Sequence, residues 1–350
     1  MTATEQTVIE QSSEPTVRLA PVPAAAPGIT FVRAAAAVLV LHGFLVGLWA
    51  TQHGLQLGYL DAVRFVLNRT LGIGEDFGVF AVMLLLTAGG YLAQLQRGRL
   101  MRRLISGYLP AGVTTLLAAG LVTLGAGIWN WPTASHTSPL AVIGNLSLGS
   151  QLVTGKPLLV PLAWFVLLLL TGTLAAAATN RFGVAVPIVQ IAAVCATVVV
   201  APDSRAASVL VFFSLVVAGQ LIALHQRGDV KTWVATTVGA LGAAPLLLLG
   251  AMNEEIAKWW YPVSALYAVL LTTVAVVFSG ETAAKAAAHP VVRWLSDHAI
   301  WLALLQGVAG YPVLALLHGL VPLGVAFPAA IVATAVAAAL SHRLTDGLRA

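Results

Sequence analysis

Two ionisable residues, Arg33 and His42, stand inside the otherwise apolar stretch FVRAAAAVLVLHG at residues 31–43. A hydroxyl is a poor nucleophile until a base takes its proton, and imidazole, with an ordinary pKa of about 6.5, can do this at neutral pH. A histidine in an apolar helix carries a desolvation cost unless it is paired or faces a wet cavity. His42 is therefore the candidate base, with its partner expected on another helix. Arg33 lies nearer the start of the stretch, where its long side chain either reaches back to the lipid phosphates or holds an anionic donor. At about 100° per residue, nine steps set the two side chains about 180° apart and about 13–14 Å apart along the axis. They are two positions, not one pair.

The element that carries them is a membrane span. Of the 350 residues 59% are hydrophobic and 9% charged, and the mean hydropathy is +0.91, far outside the range of soluble domains. Apolar runs of about 20 residues, enough to cross a bilayer, recur at 29–50, 76–96, 108–129, 157–178, 183–200, 206–224, 232–250, 259–279, 293–317 and 321–341. The expectation is an all-α integral membrane protein, a single bundle of about ten transmembrane helices over 29–341. A disordered polar tail precedes it at 1–28, and a short tail follows at 342–350. With both termini in the cytoplasm, twelve basic residues fall on the inner side and five on the outer. This asymmetry sets the orientation and makes a nucleic-acid partner unnecessary to explain the net charge of +5. The inner, or plasma, membrane is the expected location. Cys195 is the single cysteine, inside a span, so no disulfide is possible within the chain.

Several stretches resemble the acyltransferase 3 family. FVRAAAAVLVLHG is similar to that family's first span, with its Arg, alanine-rich run and His. FGVFAVMLLLTAGGYLAQ (77–94) resembles the second span, and RLMRRLISGYLP (99–110) resembles the arginine-rich cytoplasmic connection into the third. PLAWFVLLLL (161–170) and WLALLQGVAGYPVLALL (301–317) resemble a middle and a late segment. The resemblance implies transfer of an acyl group, acetyl or another short one, from cytoplasmic acyl-CoA to a hydroxyl of an extracytoplasmic carbohydrate, glycolipid or related envelope acceptor. It implies no permanently bound cofactor, with acyl-CoA as donor substrate. On this reading His42 is the base, and Arg33, Arg99, Arg102 and Arg103, with Arg97 beside them, meet the donor's phosphates. Thr87, Tyr91, Trp164 and Gln306 then line the acceptor site.

The chain departs from the family pattern in four places. Eight residues separate Arg33 from His42 where the family has ten. Gly89, Gly90 and Tyr91 replace a Ser-Gly-aromatic turn, with Thr87 the nearby hydroxyl. Gly107 replaces an arginine before Pro110, and Gln306 stands where the family has a histidine. These losses support a second reading, a non-catalytic bundle of the same fold serving as a subunit or scaffold for envelope-building partners. Other polar residues have plainer expectations. Glu75 and Asp76 suit the start of a helix. Trp164, Trp259 and Trp260 suit an aromatic belt, with Glu254 and Glu255 beside the last two. His53 and His136 lack metal-ligand spacing, so no metal site is expected. The outer segment 130–157 offers a roof for a hydroxyl-rich acceptor or an ordinary solvated loop, and GETAAKAAAHP (280–290) reads as a polar inner loop.

Overall fold

The computed structural model describes residues 25–73, 77–96, 100–129, 138–149, 152, 158–254 and 261–349, without the side chains of 180 and 346–349. Most of the N-terminal tail, Glu75, Asp76, Arg97, Arg99, His136, most of 150–157, Glu255, Trp259 and Trp260 lie outside the described residues.

Every described element is helical. In chain order these are α1 (Pro27–Gln52), α2 (58–71), α3 (Gly78–Leu95), α4 (Leu100–Thr123), α5 (Pro139–Leu146), α6 (Ala163–Phe182) and α7 (Ala185–Val200). There follow α8 (Arg205–Gln226), α9 (Thr232–Met252), α10 (Tyr261–Val277), α11 (Glu281–Ala288), α12 (Pro290–Leu317) and α13 (Leu323–Arg349). Seven of them, α1, α3, α4, α8, α9, α12 and α13, are long and apolar enough to cross a bilayer, and the bent pair α10–α11 makes eight if counted as one span. Two shorter apolar stretches, in α6 and α7, complete the set. The described residues are those of an all-helical protein with the apolar helices of a multi-pass membrane protein.

Two spans form the centre. In α3 and α8 83% of the apolar window is enclosed by protein, against 28% in α9 and α13. The outer helices therefore present their leucines and valines, such as Leu247 and Val332, outward. The central pair packs backbone to backbone through glycine. A Cβ on Gly219 would stand 2.0 Å from the Thr87 carbonyl oxygen, and one on Gly90 would stand 2.1 Å from that of Val216. Small residues of this kind let membrane helices approach closely, where packing, not water exclusion, holds helices together.

Several boundaries differ from those expected: the helix of the run expected from 157 starts at Ala163, and α13 runs on to Arg349 through the stretch expected as a tail. The third span begins at Leu100, eight residues before the expected 108, and closes at Thr123, ahead of Gly125 with its φ of +78°. Arg102 and Arg103 are thus helical, and Pro110 sits inside the helix. Proline removes one backbone donor, a loss that neighbouring helices and hydroxyls make tolerable in membrane spans. The stretch 280–290, expected as a loop, contains α11, turned by 107° from α10 and carrying a Lys285–Glu281 ion pair of 2.8 Å on its exposed face.

Substituting Gly219→Ala forces α3 and α8 apart. Overpacking of this kind costs about 1–3 kcal/mol, so thermal unfolding in detergent is expected at a clearly lower temperature than for the wild type. Gly239→Ala, in open space, is expected to leave it unchanged.

Candidate active site

His42 lies at the start of an unusual stretch of α1. From Leu41 to Leu48 the backbone follows the wider π-helical pattern, with hydrogen bonds five residues apart. Such segments are rare and concentrate at functional sites. The described residues contain two more, Arg64–Arg69 in α2 and Gln306–Gly310 in α12. The first and third pack together: Leu45 lies against Gly310, and the Tyr311 hydroxyl donates to the Phe44 carbonyl at 2.9 Å. Trp129, held at a φ of +50°, seals them from the side, its indole on Gly307 and its ring 6.3 Å from Phe44 and 5.6 Å from Tyr311.

The second π segment faces His42 across a cleft. The cleft is lined by His42, Gly43 and Gly47 of α1, by Leu60, Val63, Arg64 and Asn68 of α2, and by Phe77. The cleft is narrow, with room for about one water-sized group. The half-buried His42 ring has aromatic neighbours from other segments, Tyr59 and Phe77, each with ring centroids 6.2 Å away. Desolvation holds the Tyr59 phenol above its ordinary pKa. Gly43 makes the arrangement possible: a Cβ there would stand 2.3 Å from the Gly78 nitrogen, so α1 meets the start of α3 and brings Phe77 to the histidine.

Asn68 is the residue that sequence reasoning missed. It is 0% exposed, and neither its carboxamide oxygen nor its nitrogen has a hydrogen-bond partner among the described residues. Leaving such a group unsatisfied costs about 1–3 kcal/mol, a cost a fold retains where a ligand or water completes the bonding. Arg64 beside it donates to the Thr51 hydroxyl at 3.2 Å and stands 3.9 Å from Asp61. A histidine, an arginine and an open carboxamide around one small cleft can hold a hydroxyl and take its proton.

The expected site residues are spread through the bundle. Arg33 does not meet His42; the carboxylate whose charge acts on it is Asp297 of α12. Arg103 donates to the carbonyls of Ala93 and Gln96 (2.9 Å to the latter), and Arg227 donates to that of Gln94 at 3.3 Å, so both cap the end of α3. Arg102 is exposed on α4, and Arg99 is outside the described residues. The Thr87 hydroxyl donates to the Met83 carbonyl at 3.0 Å. The Tyr91 hydroxyl donates to Gln226 and accepts from the Ala26 nitrogen at 3.0 Å, at the opposite end of α1 from the cleft. That is sixteen residues from His42, about 24 Å along the axis. Trp164 belongs to an aromatic row with Phe212 and Tyr261, each step 5.5 Å. Gln306, 0% exposed in the third π segment, donates to the Ala303 carbonyl at 3.2 Å, and its oxygen has no partner among the described residues. His53 stacks on Trp49 at 4.0 Å with His318 nearby, and among the described residues no three potential metal ligands converge.

No family model matches the chain, and no curated protein and no solved structure is similar to it.

Replacing Asn68 by leucine of similar volume separates stability from function. Removing the unsatisfied amide is expected to raise the unfolding temperature in detergent, while any turnover that depends on the cleft falls. A variant less stable than the wild type would show that the carboxamide is bonded in the folded protein.

Proposed function

We propose that the protein is a membrane O-acyltransferase of about ten spans, with both termini in the cytoplasm, acting on an extracytoplasmic hydroxyl. The observation that carries this reading is the cleft at His42, in which a histidine faces an arginine and a carboxamide without a hydrogen-bond partner among the described residues. The order of the five stretches similar to the acyltransferase 3 family supports it. In the reaction the acceptor hydroxyl attacks the thioester carbonyl of acyl-CoA. The new C–O bond forms as the C–S bond breaks. His42 takes the hydroxyl proton and passes it to the departing CoA thiolate.

The donor phosphates belong at the other end of the bundle. There Arg102 is exposed; Arg33 joins it in the proposed basic group, while Arg99 lies outside the described residues. His42 stands fifteen residues beyond Pro27, about 22 Å along the helix, so the acyl group approaches along the bundle while the nucleotide stays outside. Thr87, Tyr91, Trp164 and Gln306 act, on this reading, through the walls of that path.

One observation favours the non-catalytic alternative, a scaffold or subunit in an envelope-building complex. Tyr91 and Arg103 are committed to bonds that hold α3 in place, and the Thr87 hydroxyl is spent on a carbonyl of its own helix. Turnover of a labelled short-chain acyl-CoA in membranes separates the two. With expression and fold matched, His42→Ala is expected to abolish acyl transfer, and Arg102→Ala to raise the KM for acyl-CoA with little change in kcat. Transfer undiminished in His42→Ala would remove the acyltransferase mechanism stated here.

A further inference from the structure

Helix α2 has its polarity reversed. Leu60, Val63, Arg64 and Asn68 line the cleft, so the arginine and the buried carboxamide point inward. The outward side carries large apolar residues: Phe65 is 67% exposed and Val66 58%, with Leu67 and Leu71 also open. A helix packed on a water-facing surface shows the reverse pattern, apolar inward and polar outward. An apolar outward face is what an interfacial helix presents to lipid.

Its position agrees. Arg64 bonds Thr51, in the last turn of α1, and the Ser264 hydroxyl, in the first turn of α10, donates to the Ile73 carbonyl at 3.0 Å. The helix is therefore held level with the ends of two spans, where a bilayer has its polar boundary. The exposed face continues the outward apolar coat of the spans, and Arg69 beside it supplies a positive charge suited to anionic headgroups. Gly54 and Gly72, with φ of +66° and +70°, bracket the segment. At these two positions the chain takes the left-handed turn that glycine permits, setting α2 off from both α1 and α3.

We propose that α2 lies in the membrane interface and forms the lipid-side wall of the His42 cleft, so that the acceptor is a membrane-borne lipid presenting its headgroup hydroxyl sideways to His42. The acceptor half rests on the acyltransferase reading; the location of the helix does not.

Two measurements on the full chain decide it. Val66→Cys, in a Cys195→Ala background, is labelled with bimane and reconstituted into vesicles of phosphatidylethanolamine and phosphatidylglycerol. Quenching by a lipid carrying a nitroxide near its headgroup is expected to exceed quenching by aqueous iodide, and Phe65→Cys repeats the test if the first variant folds poorly. Strong iodide quenching with weak lipid quenching overturns the interfacial location. In the same vesicles, labelled short-chain acyl-CoA is offered with a glycosyl diacylglycerol or the methyl glycoside of the same sugar. Label is expected in the lipid. Equal labelling of the soluble glycoside overturns sideways access, and label in neither rejects the acyltransferase reading together with the acceptor claim, while the quenching result still decides where α2 lies.

Discussion

Inside a bilayer a backbone carbonyl that leaves its helical partner has no water to turn to, so another donor must reach it. Around that constraint the site is built. The π segment of α1 widens the helix at His42, and the carbonyl of Phe44 within it accepts the Tyr311 hydroxyl from α12. The matching π segment of α12 brings Gly307 and Gly310 to the contact, where Trp129 and Leu45 fill the space a Cβ would take. The two irregular turns support each other, and the histidine is held at their edge without a regular helix to fix its direction.

The rest of the bundle keeps that edge in place. The glycine contacts of α3 and α8 make a rigid centre, and Arg103 and Arg227 close the carbonyls at one end of α3. At its other end α3 meets α1 through Gly43 and Gly78, which carries Phe77 to His42. One short helix, α2, completes the enclosure. Residues that cap α3 lie toward the Tyr91 end, and the open carboxamide of Asn68 lies in the π segment of α2 that faces His42.

The spans were legible in the sequence because hydropathy over about 20 residues reports burial in lipid whatever the detailed packing. All ten apolar runs contain helix, and seven of the described helices, or eight with the bent pair, are long and apolar enough to cross a bilayer. His42 stands out in the sequence because an ionisable group in such a run is rare, and its role belongs to the proposal above. Arg103 was legible as a basic residue but not as a cap, since its partners are carbonyls seven and ten residues earlier in the chain. Asn68 was hidden for a different reason. In α2 the apolar face points outward, and the π segment from Arg64 to Arg69 breaks the 3.6-residue period that would have marked the helix. The run RFVLNR, between Gly54 and Gly72, was the only trace.

The central proposal is that the cleft between α1 and α2 is the site of acyl transfer. Gly47 and Leu60 line it from opposite sides. In a Cys195→Ala background, Gly47→Cys and Leu60→Cys can be joined by a short reducible thiol bridge, and acyl turnover measured before and after reduction. Turnover absent with the bridge intact and restored when it is cut is the predicted result. Full turnover in the bridged protein would contradict the account.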